Sequence, residues 1–191
     1  MKYFKLVLAG GILVITAFFT GSFFIAKNFF IQRSVFIEAS DTAAFDYASN
    51  YKHFNSWSPF YEKEPKAKYQ ISGSPGTAGY SFSWHGKEVG SGKFEFMGNE
   101  RYKAIYQKLT YKSPFEGSYL NYMYFTKTYK GIIVTWAFCG ENKTTLDRWK
   151  SLFYDSMVGE DYQRGLNKLK EELEKQNLTS SKLQNKTSSS L

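Results

Sequence analysis

The feature of this sequence that most constrains its fold is a series of segments between residues 66 and 141 in which apolar and polar residues alternate. In the stretch GYSFSWHG, Tyr80, Phe82 and Trp84 fall on one face of an extended chain. Alternation of this kind indicates half-buried β-strands. Glycine and proline clusters, such as SPGTAG, separate the segments as hairpin loops would. The pattern predicts about six consecutive antiparallel strands.

Helical spacing flanks this series on both sides. Residues 33–40 alternate as one further strand, and residues 41–57 then have the spacing of a helical pair. Residues 144–176 form a long helical pattern with two apolar stripes, the first Trp149, Leu152, Phe153, Ser156 and Met157, the second Leu166, Leu169 and Leu173. Gly159 and Gly165 inside this pattern indicate a bend or the close approach of a bulky group. We expect an α+β chain that ends in one long helix.

The N-terminal region contains an apolar run, residues 6–25, without a charged side chain. A helix of this length spans about 30 Å, the thickness of the hydrocarbon core of a bilayer. A cleaved signal peptide and a buried core helix are the alternatives. A signal peptide has a shorter apolar region that ends in small residues, whereas this run stays aromatic to Phe24 and meets Lys27. An uncleaved transmembrane anchor is the favoured interpretation.

Three parts follow from these patterns: an anchor over residues 1–32, one domain over residues 33–176, and a polar tail over residues 177–191 that we expect to be disordered. The basic residues on the two sides of the apolar run nearly balance, so they hardly decide the orientation. The short segment before the run favours a single-pass topology with the domain on the exported side.

The net charge of +8 does not indicate nucleic-acid binding. Part of the excess lies beside the apolar run, and the rest is spread along the chain. The sequence has no basic helix, no zinc-finger spacing and no RNA-binding aromatic motif. We therefore expect no nucleic-acid partner.

Motifs for catalysis are weak. The sequence has no nucleophile elbow, no His-Glu-x-x-His and no Cys-x-x-Cys. Cys139 lies in an apolar strand, where a small structural role is the simplest interpretation. His85, Glu95 and Tyr106 are weak candidates for proton transfer, and alternation places Glu95 on the solvent side unless a bulge reverses it. With only two histidines, His53 and His85, we expect no metal site, and no motif indicates a cofactor.

The ordered motifs resemble a known family. The stretches SVFIEASDTAAFDYASN, HFNSWSPF, SWHGKEVGSGKFEF, LTYKSPFEG, VTWAF and MVGEDYQRGLNKLKEELE are similar to those of the START-like (SRPBCC) superfamily, in particular its bacterial polyketide cyclase/dehydrase and lipid-transport group. The resemblance covers residues 33–175. It implies a helix-grip fold, in which a seven-stranded antiparallel sheet wraps around a long C-terminal helix. It also implies that Trp57 and Phe60 face inward beside a corner at Pro59.

The resemblance further implies a cavity between the sheet and the C-terminal helix. The residues expected to line it are Trp57, Tyr80, Trp84, Tyr106, Phe125, Trp136, Tyr154 and Met157. The family often has an acidic residue between the glycines where this chain has Ser91. A proton-transfer role for that position is therefore not expected here.

Three functions remain open from the sequence. The first is a membrane-anchored domain that binds a hydrophobic small molecule or lipid without changing it, with the bilayer contacted through residues 6–25. The second is an enzyme of the cyclase or dehydratase type, which requires a polar group inside the cavity. The third is a protein-interaction or stress-related domain in which the aromatic residues, 19% of the chain, simply fill the core.

Overall fold

The computed structural model describes residues 2–113 and 116–188, and side chains within 3–113 and 116–179. Its first element is helix α1 (Lys2–Ser22). The segment Tyr3–Ser22 has a mean hydropathy of 1.9, and apart from Ser22 at its end no residue of it is buried against the rest of the chain. Within the described residues it is the one helix that is long and apolar enough to cross a membrane. It ends three residues before the predicted limit, because residues 23–25 form turns.

The sheet has the predicted number of strands and direction. Its strands are β1 (Asn28–Ile37), β2 (Lys68–Ser72), β3 (Ser81–His85), β4 (Ser91–Glu100), β5 (Ala104–Ser113), β6 (Gly117–Lys127) and β7 (Ile132–Glu141). Every neighbouring pair is antiparallel, in the order β1-β7-β6-β5-β4-β3-β2. Strands β2 to β7 form one meander, and β1 joins its open edge through β7.

Three short helices connect β1 to β2: α2 (Asp41–Ser49), α3 (Phe54–Trp57) and α4 (Pro59–Lys63). The Ser40 side chain caps α2, and the Ser58 side chain caps α4, whose first residue is Pro59. Proline is well suited to this position because its φ angle is fixed near the helical value. Trp57 and Phe60 are turned into the core on the two sides of this corner, as expected from the WSPF segment.

The C-terminal segment is broken rather than continuous. It comprises α5 (Thr145–Ser151), a π-helical turn (Asp155–Gly159) and α6 (Glu160–Ser188). The leucine stripe of α6 is fully buried, which completes the helix-grip arrangement. In contrast, Leu152, Phe153 and Met157 are more than half exposed, so the first predicted stripe does not pack on the sheet. The long C-terminal helix is present as α6, and a bend that Gly159 indicated is present as the π-helical turn, but the chain leaves regular helical geometry already after Ser151.

Two predicted boundaries also differ from the structure. Strand β1 begins at Asn28, inside the segment 1–32 that was assigned to the anchor. The apolar residues at its start continue the composition of α1, so hydropathy could not separate the two elements. At the other end, α6 continues to Ser188 through most of the predicted disordered tail. The chain contains no glycine or proline after Gly165, so neither of the two residue types with the lowest helix propensity occurs there. Residues 189–191 lie outside the described residues.

The close approach of Trp136 and Pro59 to helix α6 explains why residue 165 is a glycine. A Cβ atom at this position would lie 2.8 Å from the Trp136 ring and 3.2 Å from Pro59. Such distances are shorter than carbon atoms tolerate, so any larger residue would push α6 away from the sheet. This confirms the expectation that a bulky group approaches the helix here.

Candidate functional site

A cavity of about 420 Å³ lies between the concave face of the sheet and the broken C-terminal segment. Its apolar walls consist of Phe60, Val89, Tyr111, Tyr119, Phe138, Phe153, Tyr154, Met157 and Val158. The charged residues that line it are Lys63, Glu88, Glu116, Lys150 and Asp161. The break between α5 and α6 therefore forms one wall, and exposed side chains stand at its mouth.

The sheet contributes Tyr111 from β5, Tyr119 from β6 and Phe138 from β7, all at inward positions of the alternation. Opposite them, the Tyr154 hydroxyl lies 3.4 Å from that of Tyr119. Phe29, the second residue of β1, contacts the same group, with ring centroids 5.1 Å from Phe138 and 4.9 Å from Tyr154. The cavity thus lies at the end of the sheet that follows α1.

A loop between β3 and β4 forms another part of the wall and is held by Glu64. Its carboxylate accepts hydrogen bonds from the backbone N–H groups of Lys87, Glu88 and Val89, at 3.0, 2.9 and 3.2 Å. These bonds hold the pKa of Glu64 below its usual value. The Trp84 indole N–H donates to the Val89 carbonyl at 3.1 Å. The partners of Glu64 lie more than twenty residues away along the chain, so no local pattern in the sequence reveals them.

The rim of the cavity carries both signs of charge. Asp161, at the start of α6, accepts from Lys63 at 2.7 Å and also from Arg164. Its side chain is only 16% exposed. Lys150 pairs with Asp147 at 3.7 Å. The apolar interior is therefore bordered by ionic groups that could contact a polar end of a bound molecule.

The tyrosine hydroxyls supply the polar atoms of the interior. Burial raises the pKa of Tyr111 and of Tyr154 well above the ordinary value, because the phenolate form loses its solvation. Both hydroxyls therefore stay protonated at neutral pH. They can donate and accept hydrogen bonds, but they are not poised to act as general bases.

The opposite part of the interior is filled by aromatic rings. Trp136 stacks on Tyr162 with ring centroids 3.9 Å apart and meets Trp57 edge-on at 5.3 Å. Five of the residues expected to line the cavity are instead buried in this packed region or beside it: Trp57, Tyr80, Trp84, Phe125 and Trp136. Of the predicted lining residues, the structure brings together only Tyr154 and Met157 at the cavity.

A buried polar chain crosses the concave face. The Trp136 indole N–H and the Tyr162 hydroxyl both donate to Oδ1 of Asn121. The Asn121 amide then donates to Gln107, whose own amide donates to the Tyr51 hydroxyl at 2.9 Å. Asn121 is fully buried, and its side-chain amide both accepts and donates hydrogen bonds in this network. This network was not predicted from the sequence. The inward position of Asn121 among the aromatic residues of GSYLNYMYF is the signal in the sequence from which it could have been inferred.

The three weak catalytic candidates lie on the outer face of the sheet. His85 is exposed, with its Nδ1 2.6 Å from the Ser91 hydroxyl. Glu95 pairs with Lys93, which lowers its pKa, and the bulges of β4 leave its outward direction unchanged. Tyr106 donates to Glu100, and this bond raises the pKa of the tyrosine to about 12. None of the three reaches the cavity, so the assignment of Tyr106 to the lining is not supported by its position.

The other reactive groups do not form a site within the described residues. His53 stacks on Tyr47 with ring centroids 4.4 Å apart. Burial raises the pKa of the half-buried Cys139 thiol. Across the described part of the chain, no group of three or more His, Cys, Asp and Glu side chains is placed to hold a metal ion.

Sequence comparison gives no relative: no protein-family model matches the chain, and no curated protein matches it significantly. Solved structures do match its fold. The di-domain ARO/CYC protein StfQ from the steffimycin biosynthetic pathway has a TM-score of 0.58 at 14% identity, over 78% of this chain and 52% of StfQ. The chain thus spans about half of that protein.

Other solved structures match over most of their own length. Protein Ms6760 from Mycobacterium smegmatis has a TM-score of 0.55 at 13% identity, over 75% of this chain and 90% of that one. The Aha1 dimer from Colwellia psychrerythraea has a TM-score of 0.52 at 16% identity, over 76% and 96%. Identities this low show the fold alone. The chain therefore shares the fold of these solved structures, and this fold is the helix-grip arrangement that its motifs indicated.

Proposed function

We propose that this protein is a membrane-anchored START-like domain that binds a hydrophobic small molecule or lipid in the cavity beside the C-terminal break, without changing it chemically. The observation that carries the proposal is the cavity itself: nine of its lining residues are apolar or aromatic. Sites for small molecules are concave and mostly apolar, with a few polar groups that fix orientation. The tyrosine hydroxyls and the charged rim correspond to those polar groups.

The size of the cavity limits the ligand. A volume of about 420 Å³ falls within the usual range for ligand sites, about 300–1,000 Å³. It corresponds to about 14 water-sized groups, taking about 30 Å³ for each. A single alkyl chain or a small ring system fits this space better than a whole two-chain lipid. The polar end of such a molecule would lie at the rim, near Lys63 and Lys150.

The chemistry of the lining favours binding over catalysis. The protonated hydroxyls of Tyr111 and Tyr154 are poor proton acceptors at neutral pH. Asp161, the least exposed carboxylate of the rim, is held by Lys63 and Arg164. The candidates His85 and Glu95 lie on the far side of the sheet. A cyclase or dehydratase would require a base that reaches the ligand.

The proposal includes the anchor. Helix α1 would span the bilayer once, with the domain on the exported side. A tether of this kind holds the cavity at a high local concentration of membrane lipids. It therefore suits a binding protein whose ligand comes from the same membrane.

Site-resolved photo-crosslinking tests the proposal on the full chain. Membranes containing the protein are incubated with a diazirine-bearing palmitic acid and irradiated, and the labelled peptides are identified by mass spectrometry. We expect labels on α1 from bulk lipid, and additional labels on the peptides that carry Tyr111, Tyr119 and Tyr154. A tryptophan in place of Val158 should remove the cavity labels, because its ring would occupy the cavity, and leave the α1 labels.

The matched control is Met97→Trp, which places the same ring on the exposed outer face of β4. This variant should be labelled like the wild type. Labelling confined to α1 in the wild type would contradict the proposal and favour an interaction domain. Turnover of an added poly-ketone by the purified protein would instead favour the cyclase type of enzyme.

A further inference from the structure

The C-terminal end of α1 is fixed to the domain by α5. The Trp149 ring stacks on Phe18 with centroids 5.8 Å apart, and its indole N–H donates to the Phe18 carbonyl at 3.2 Å. Gly21 makes this contact possible, because a Cβ atom there would lie 3.0 Å from the Trp149 ring. The end of the apolar helix therefore lies directly against the start of the C-terminal segment.

Polar contacts strengthen the same junction. The Arg148 guanidinium donates to the carbonyls of Ser22 and Ile25, at 2.9 and 3.3 Å. A cation at a helix C-terminus satisfies free carbonyls and is favoured by the helix dipole. The Asn142 side chain donates to the Ala26 carbonyl at 2.9 Å. Helix α1 is thus bonded to the domain beyond the covalent link to β1.

Four large apolar side chains close in sequence to Trp149 are exposed. Leu146, Leu152, Phe153 and Met157 are 54%, 56%, 62% and 60% exposed, and we call them the apolar edge. Leu146 and Leu152 lie three residues before and after Trp149, a spacing that places neighbours on one side of a helix. Phe153 and Met157 also line the cavity. The apolar edge therefore connects the end of α1 with the cavity mouth.

We infer that the apolar edge inserts into the interface of the bilayer that α1 spans, so that the cavity opens into lipid instead of water. This inference rests on the anchoring part of the proposed function. The 20 residues of Tyr3–Ser22 match the hydrocarbon thickness, so Phe18 and Gly21 lie near its boundary. Trp149 packs on both residues and therefore lies at headgroup level, where tryptophan is enriched.

The occupant of this surface follows from the junction. A bilayer that holds α1 must extend sideways from it at the level of Trp149, and the apolar edge begins three residues away. Burial of exposed apolar area in lipid is favourable because it removes that area from water. A separate protein would have to displace this lipid to reach the same side chains. A lipid molecule could then move between the bilayer and the cavity past Phe153 and Met157 without crossing water.

Spin-label accessibility on the reconstituted full chain tests this inference. Single cysteines replace Leu152, Val14 or Tyr129 in a Cys139→Ala background, and each labelled protein is placed in vesicles of phosphatidylcholine and phosphatidylglycerol. Val14 lies within α1, and Tyr129 is 99% exposed in the turn before β7, at the other end of the sheet. Strand β1 separates the two ends by about 30 Å.

We expect the label at 152 to resemble that at 14, with high accessibility to oxygen and low accessibility to a water-soluble nickel complex, and the label at 129 to show the reverse. Leu146→Cys is a second reporter if Leu152→Cys does not fold. A label at 152 that behaves like the one at 129, while the label at 14 stays in lipid, would overturn the inference and leave the anchor intact. Water exposure at 14 would overturn both. A lipid-exposed label at 152 supports the inference even where photo-crosslinking shows an empty cavity.

Discussion

The two ends of the interior differ although similar residues face them. At the closed end, Trp57, Trp136 and Tyr162 are each 1% exposed and pack ring against ring. At the open end, Tyr111, Tyr119 and Tyr154 border a cavity of about 420 Å³. On strand β7, Trp136 at the closed end and Phe138 at the open end both occupy inward positions of the alternation. The composition of the sheet therefore does not determine where the cavity forms.

The helical segment over each end explains the difference. Regular α6 covers the closed end, where Gly165 lets Trp136 approach closely. The open end is covered by the break between α5 and α6, whose side chains are partly directed to the outside. At the π-helical turn, Gly159 lies against the guanidinium of Arg33, which pairs with Asp155 at 2.9 Å. This ionic contact joins the π-helical turn to β1.

The largest expected effect is on the closed end. Trp57→Ala should lower the free energy of unfolding by about 3–5 kcal/mol, because truncation of a fully buried aromatic ring leaves a cavity that the neighbours cannot fill. Denaturant-induced unfolding provides the measurement. The control Tyr129→Ala, at a residue that is 99% exposed, should change the same quantity by less than about 0.5 kcal/mol. Similar small losses for both variants would show that the closed end is not tightly packed.

The polar chain between the two ends should be the next most sensitive feature. Asn121→Ala removes the acceptor of two buried donors, the Trp136 indole and the Tyr162 hydroxyl. We expect a loss of about 1–3 kcal/mol in the free energy of unfolding, the usual effect of an orphaned buried group. Asn99→Ala on the exposed part of β4 provides the matched control. An unfolding free energy equal to that of the wild type would argue against the network.

A bulky side chain placed in the cavity should make the open end as tightly packed as the closed end. Val158→Trp should change the free energy of unfolding by less than about 1.5 kcal/mol, because the side chain enters existing space. Lipid labelling at the cavity should be lost in the same protein. Thermal unfolding together with photo-crosslinking distinguishes the outcomes. Retained labelling in a folded Val158→Trp protein would mean that the ligand lies elsewhere.

The contribution of Glu64 to the stability of the fold should depend on pH, because its carboxylate holds the loop that forms part of the cavity wall. Its folded pKa is below the ordinary value of 4.5, so the ionised form stabilises the fold above that pH. This contribution is lost as the pH falls through the folded pKa. Glu64→Gln should remove part of the acid sensitivity, measured as the slope of unfolding free energy against pH below about 4.5. An unchanged slope would mean that the loop bonds of Glu64 contribute nothing to stability.

The smallest effect is expected on the outer face of the sheet. Glu95→Gln breaks a partly exposed pair with Lys93, and such pairs contribute about 0–1 kcal/mol. Lipid labelling of the cavity should remain at the wild-type level, since Glu95 lies on the opposite side of the sheet. Loss of labelling in this variant would show that the outer face participates in binding.

The sequence predicted the sheet well because alternation with a period of two depends only on local residues. It assigned inward positions to Phe82, Trp84 and Trp136 correctly, and it placed Glu95 on the solvent side. Alternation cannot tell a packed ring from one that borders a cavity, since both point the same way. Five of the residues predicted to line the cavity therefore lie in the packed core, and whether any of them contacts a ligand stays a prediction.

The cavity depends on features that act over long distances or against local preference. The break after Ser151 has no proline, and Trp149, Leu152 and Phe153 continue the helical spacing. The exposure of Leu152 and Phe153 is explained by the contact of Trp149 with Phe18 of α1, more than a hundred residues earlier in the chain, because this contact directs the segment away from the sheet. The Glu64 contact with the loop before β4 is similarly remote. Neither contact leaves a pattern in the local sequence.

The most direct test of the central claim is native mass spectrometry of the full-length wild type and the Val158→Trp variant, purified in parallel. We predict that the wild type carries a discrete additional mass, which organic extraction removes and which identifies the ligand class. The Val158→Trp protein should show the mass of the chain alone. An identical spectrum for the two folded proteins, whether both carry the extra mass or neither does, would contradict a ligand site in this cavity.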